Sequence, residues 1–319
     1  MIQVEHLTKY YGSHLAVEDL SFEIESGHVY GFLGPNGAGK STTMNIITGC
    51  LSATSGAVRI DGHDIFEEPN EAKKCMGYLP EHPPLYMSET PLEYLTFVGE
   101  AKGLRGTALQ SQIESVIQKT GIEGVKYRRI SALSKGYKQR VGIAQALLGN
   151  PKVIILDEPT VGLDPIQIIE IRDLIKSLGK THTVIFSSHI LSEVQTICDR
   201  IVMIAHGKLV AFGEPETLQK QLLTDGEIVL TTDAAIAQVK QALSKVSGIQ
   251  LLEFTQEQSN MTVVHIKTGS SDMNTVARSV SQSFASNSLA IYEMSQKKGS
   301  LEDMFLELSE GKETEAMEQ

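Results

Sequence analysis

Over residues 1–220, short β-branched runs alternate with stretches of helical spacing, the order of an α/β fold with a largely parallel sheet. From Ile2 to about Ile24 apolar and polar positions alternate as in strands, with a turn at Tyr11-Gly12. VYGFL (29–33) reads as a strand, and VIIL (153–156) and TVIF (183–186) as strands buried on both faces. A helical pattern over 41–48 stops at Gly49. Residues 92–149 are mostly helical in pattern, with Gly103, Gly106, Gly121 and Gly124 as breaks. This predicts a helical subdomain at about 85–150, inserted into the α/β core.

The pattern changes near Leu223-Thr224-Asp225-Gly226. EIVLTT (227–232) predicts a strand, DAAIAQVKQALSKV (233–246) a helix, and IQLLEFT (249–255) and MTVVHIK (261–267) two strands around a polar turn. A helix over about 272–284 and a strand near 289–293 complete a β-α-β-β-α-β order, which predicts a small ferredoxin-like α+β domain. LEDMFLELS (301–309) predicts a short amphipathic helix before an acidic tail. The expected division is therefore 1–222, 225–295 and 300–319.

At 319 residues the chain fits two domains. No apolar run approaches the ~18 residues that cross a bilayer, so the expectation is that this chain spans no membrane. Its start, MIQVEHLTKY, is not an ordinary secretory signal. Cys50, Cys75 and Cys198 are odd in number and far apart, which fits a reducing cytosol rather than a disulfide or zinc framework. The net charge is −11, and seven acids against Lys312 in the last nineteen residues account for about half of it. That balance argues against nucleic acid as a partner, since such binding depends on clustered Lys and Arg.

GPNGAGKST (34–42) fits GxxxxGK(S/T) between a strand and a helix. Glycine lets the backbone wrap closely around phosphates, so Gly34, Pro35, Asn36, Gly37, Ala38, Gly39 and Thr42 are candidate nucleotide contacts. Lys40 is placed to neutralise β- and γ-phosphate oxygens, and the Ser41 hydroxyl to ligate Mg²⁺. VIILDEP puts Asp157 and Glu158 just after a buried strand. Asp157 suits a water-mediated Mg²⁺ contact, and Glu158 suits the base that polarises the attacking water.

LSKGYKQR (133–140) precedes an apolar helical pattern, which puts Ser134 at a helix N-terminus where an anion is favoured. With the phosphate loop before it and the acid pair after it, residues 1–220 resemble the ATP-binding subunit of an ABC transporter. The resemblance implies that Tyr11 stacks on adenine, with Val17 near the base. It implies that Ser134 and Gly136 belong to the signature, that Gly162-Leu163-Asp164-Pro165 is the D-loop, and that His189 is the γ-phosphate switch histidine. It places Glu81, in GYLPEHPPLY, at the Q-loop near Mg²⁺, where the family usually has glutamine. Lys135 and Tyr137 replace the usual first glycine and glutamine of the signature.

The resemblance further implies an ATPase working as a head-to-tail pair of like or unlike subunits. Each signature caps the ATP held by the other subunit, and a separate transmembrane permease docks near Glu81 and the helical subdomain. The chain is then expected on the cytoplasmic face of the membrane. The carboxyl-terminal extension resembles those of exporter-type subunits. A soluble ATPase of DNA repair or translation is the competing class, but the long coiled-coil insertion or second cassette usual there is missing. A non-catalytic nucleotide sensor is opposed by the presence of Glu158 and His189.

Overall fold

The structure, a computed structural model, describes residues 1–222, 226–256, 261–268, 273–297, 301 and 305. It divides into two compact units after Pro215. The expected boundary at 223–226 lies further on, and its residues 223–225 fall outside those described.

The first unit opens with a hairpin of β1 (Ile2–Tyr11) and β2 (His14–Ile24), paired from Ile2 with Ile24 to Tyr11 with His14. Along β2 the side chains alternate, so that Val17, Leu20, Phe22 and Ile24 are buried while polar neighbours face out. Next come β3 (Val29–Leu33) and α1 (Lys40–Ile47). Strands β4 (Ser55–Ile60) and β5 (His63–Asp64) then extend the hairpin into an antiparallel sheet of order β2-β1-β4-β5.

Helix α2 (Pro69–Lys74) leads to β6 (Met76–Leu79). Then comes a helical region of α3 (Pro91–Ala101), α4 (Gly106–Thr120) and α5 (Lys135–Leu147). Thr90 and Glu93 close a capping box at the start of α3, which satisfies two otherwise free backbone N–H groups. Gly121, at φ 66°, ends α4 in the left-handed conformation that glycine adopts cheaply. Of the four glycines expected as breaks, Gly106 instead opens α4, and Gly124 sits inside a short 3₁₀ turn.

The chain returns to the core as β7 (Val153–Leu156), α6 (Pro165–Gly179), β8 (Thr183–Ser188), α7 (Leu191–Ile197), β9 (Arg200–Ala205) and β10 (Lys208–Gly213). The central sheet has the order β10-β9-β3-β8-β7-β6, parallel except for β10. Strands β3, β7 and β8 are buried at every position, as the unbroken apolar runs predict. Four of these strands lie side by side, β3 next to β8, then β7, then β6. Their carboxyl ends are the usual place for a ligand in such a sheet. They deliver the phosphate loop, His189, the acid pair and Glu81 to one edge.

The second unit opens with α8 (Pro215–Leu222) and runs on through β11 (Gly226–Thr232), α9 (Ile236–Leu243), β12 (Ile249–Gln256), β13 (Thr262–Thr268), α10 (Met273–Ser286) and β14 (Glu293–Lys297). This is the β-α-β-β-α-β element order expected from the sequence. Its sheet is antiparallel, of order β12-β13-β11-β14. Ile228, Leu230, Val264 and Ile266 form its core with Val239, Leu243, Val280 and Phe284. The last strand begins at Glu293, four residues later than the apolar run Leu289–Ile291 suggests. Leu289 donates its N–H back to Phe284 O of the helix end, and pairing toward β11 starts with Tyr292 N–H on Thr231 O. Leu289 and Ile291 pack on the core without joining the ladder. Of the helix expected at 301–309, Leu301 and Phe305 are helical; the rest, and the acidic tail, lie outside the described residues.

Candidate active site

Between β3 and α1 the loop from Gly34 to Gly39 curls around an open space, with Gly37 at φ 81° and Gly39 at φ 99°. Gly39 has no room for a side chain, since a Cβ would lie 2.6 Å from the Ala16 carbonyl oxygen. Helix α1 has no side-chain cap and no acid in its first turn, so its leading N–H groups and dipole present uncompensated positive charge. A cavity of about 550 Å³ opens here, lined by Asn36, Gly37 and Gly39 to Thr42 of the loop. Tyr11, His14, Ala16, Glu81, Glu158, Val161 and His189 close its sides.

Lys40 is buried, and its Nζ donates to the carbonyls of Gly34 at 2.8 Å and Pro35 at 3.2 Å. It also lies 3.6 Å from Glu158 Oε1. Burial pushes its pKa down, and the Glu158 carboxylate opposes that shift. Ser187, the penultimate residue of β8, organises the acid pair. Its hydroxyl donates to Asp157 Oδ1 at 2.6 Å and accepts the Glu158 N–H at 2.8 Å. Burial raises the Asp157 carboxyl, with the Ser187 and Ser41 hydroxyls pulling the other way. Glu158 holds a left-handed backbone at φ 47°, and its Oε2 is 2.9 Å from His189 Nδ1. Against an ionised carboxylate that nitrogen carries the proton, which turns Nε2 away from Glu158.

The cavity thus gathers Tyr11, Asn36, Gly37, Gly39, Lys40, Ser41, Thr42, Glu81, Glu158 and His189 among the expected residues. Gly34 and Pro35 serve through the carbonyls that hold Lys40, and Ala38 is buried behind the loop. Val17 is buried against Gly39 of the loop, and its neighbour Ala16 lines the cavity. Ser134 and Gly136 are outside this cavity. Ser134 caps α5 by accepting the Tyr137 N–H at 3.3 Å, and Gly136 is packed against Gln167. His14, Val161 and Ser187 were not singled out in the sequence. His14 had a signal, since it pairs with Tyr11 across the predicted turn.

The donors fit the groups a phosphate loop takes. The bare helix end, the glycine cradle and Lys40 suit a triphosphate, and the Ser41 hydroxyl beside the buried Asp157 carboxylate suits a hydrated Mg²⁺. Among the described residues no cluster of three or more His, Cys, Asp or Glu forms a separate metal cage. The three cysteines are free, and no described helix is long and apolar enough to cross a membrane.

Residues 17–161 match the ABC transporter family profile. The bacitracin transport ATP-binding protein of Bacillus licheniformis is 33% identical over 98% of this chain and 98% of its own. The linearmycin resistance ATP-binding protein of Bacillus subtilis is 38% identical over 72% of this chain and 75% of its own. The ATP-binding cassette MJ0796, solved as a dimer in a post-hydrolysis state with ADP and Pi, superposes with a TM-score of 0.61. It is 26% identical, over 67% of this chain and 98% of that one. The chain belongs to the family of ABC transporter ATP-binding proteins. It is an ATP-binding subunit and an ATPase of that family, and its first unit is the P-loop cassette.

Proposed function

We propose that the chain powers a separate membrane permease for export, as one of two cassettes that enclose two ATP molecules head to tail. One observation carries this reading. The cavity holds the phosphate loop, the hydrolytic carboxylate and the histidine, while Ser134 and Gly136 of the same chain lie outside it. A second cassette, which we propose to be a second copy of this chain, would supply its own Ser134 and Gly136 to complete the site.

In this reading Tyr11 stacks on the base, Lys40 and the loop N–H groups bind the phosphates, and Glu158 accepts a proton from the attacking water. His189 holds that carboxylate and offers its second nitrogen to the γ-phosphate. Ser41, Asp157 and Glu81 would hold Mg²⁺, which neutralises phosphate charge when bound. Loss of the γ-phosphate removes a bridge between cassettes, so the closed pair opens.

Export is supported by the printed functions of the bacitracin and linearmycin relatives. For the docking face we propose the helical subdomain beside Glu81. Tyr86, Met87 and Phe97 are exposed there, with the Tyr86 ring 5.3 Å from Phe97. In this reading the chain works on the cytoplasmic face of the membrane, docked on the permease. We also propose that the second unit is the ferredoxin-like domain, separate from the cassette.

The test is capture of tagged Glu158→Gln chain from detergent-solubilised membranes with ATP, read by mass spectrometry. A polytopic membrane protein near one-to-one supports the reading. Recovery of ribosomal or DNA-repair proteins alone contradicts it.

A further inference from the structure

Glu193, in α7, is the most buried carboxylate among the described residues, at 1% exposure. It does not line the cavity, yet it holds the segments beside both members of the proposed hydrolytic pair. Its Oε2 accepts the Thr160 hydroxyl at 2.8 Å and the Ser188 hydroxyl at 2.9 Å. Thr160 stands two residues after Glu158, and Ser188 one residue before His189. Ser188 also accepts the Ile190 N–H at 3.0 Å, so its hydroxyl braces the backbone on both sides of the histidine. Oε1 lies 3.2 Å from Arg172 Nη2 of α6, without the alignment of a hydrogen bond. The two hydroxyls are therefore the directional contacts, and Arg172 balances the charge.

Glu158 needs such a brace. A left-handed backbone at a non-glycine residue persists only where its surroundings fix it. The turn that follows is pinned by Val161 N–H on Glu158 O at 3.2 Å and Leu163 N–H on Thr160 O at 3.2 Å. The Thr160 hydroxyl ties that turn to the rest of the fold. A carboxylate can accept two hydroxyls at one oxygen and keep the other for a cation, which no neutral apolar side chain can do. For stability alone, a well-packed apolar group does as well as a buried ion pair.

We propose that Glu193 is a positioning residue for ATP hydrolysis. Its Oε2 clamps the turn after Glu158 to the loop that carries His189, and so fixes the contact between the two. The proposal rests on the reading of Glu158 and His189 as the hydrolytic pair.

The test is steady-state phosphate release by the full chain across ATP concentrations. Glu193→Ala is expected to lower kcat by about tenfold or more with KM for ATP nearly unchanged, the mark of lost alignment rather than lost binding. Glu193→Gln still accepts both hydroxyls and is expected to keep most of the turnover. Thr160→Val leaves Glu193 with Ser188 and Arg172, and is expected to lose turnover several-fold in the same manner. Wild-type kcat in folded Glu193→Ala, with only a lowered melting temperature, overturns the proposal. If Glu193→Ala does not fold, Thr160→Val decides, and a wild-type kcat there overturns it. Glu158→Gln and His189→Ala run alongside. Should both be inactive while Glu193→Ala is normal, Glu193 alone is misassigned; should both be fully active, the pair itself is.

Discussion

Glu158 and His189 meet at 2.9 Å through Oε2 and Nδ1, while Glu158 Oε1 faces Lys40 Nζ at 3.6 Å. The two residues come from adjacent parallel strands, β7 and β8, whose carboxyl ends lie in register. As the proposed base, Glu158 is held between an imidazole and an ammonium and would need little rearrangement to receive a water proton. Removing the imidazole should leave binding largely intact and impair the chemistry. His189→Ala is therefore expected to lose roughly 10²-fold in kcat, the scale of acid–base contributions, with a small change in KM. Phosphate release against ATP concentration measures both.

Lys40 donates inside the loop, to the Gly34 and Pro35 carbonyls, and its one carboxylate partner among the described residues is Glu158 at 3.6 Å. A buried ammonium is costly unless an anion faces it, and a triphosphate supplies that anion. Lys40→Ala is expected to abolish tight ATP binding in a calorimetric titration. Unchanged affinity would remove the phosphate-loop assignment.

Asp157 provides a pH test. Burial raises its pKa in the folded chain above the ordinary carboxylate value. The folded protein therefore holds that proton to higher pH than the unfolded one. The stability this contributes is present in acid and is lost as pH rises through the folded pKa. Once ionised, the side chain is a net burden on the nucleotide-free chain. Asp157→Asn, which can still accept the Ser187 hydroxyl, is expected to melt higher than wild type at neutral pH, with the gap closing toward acid. Mg²⁺ and ATP together are expected to raise its melting temperature less than that of wild type. A lower melting point for nucleotide-free Asp157→Asn at neutral pH would contradict this balance.

Much of the site was legible because its chemistry is local in sequence. Each of the segments 34–42, 157–158 and 189 follows a strand whose apolar run is plain, so a parallel sheet brings them to one edge. What the sequence concealed is set by side-chain direction and by contacts across the fold. One step along β2 separates Ala16, on the cavity, from Val17, in the core, and neither residue type announces which way it points. Ser187 reads as the end of a strand, and its role depends on β7 lying beside it. Glu193 has the sequence of an exposed helical acid, and only the fold brings Thr160, Ser188 and Arg172 around it. In the second unit, Leu289–Ile291 has the apolar content of a strand but packs on the core without joining the ladder, which begins beyond it.

The most direct test of the half-site account is the mass in solution of full-length Glu158→Gln, with and without ATP and Mg²⁺. Replacing the base should slow hydrolysis by about 10²-fold or more and leave ATP in place to bridge two chains. The account predicts one 34.8 kDa chain without nucleotide and a two-chain species with it by sedimentation velocity. Addition of Ser134→Arg should return that species to one chain. A single chain that binds ATP tightly yet never pairs, or a Glu158→Gln variant that releases phosphate at the wild-type rate, would contradict it.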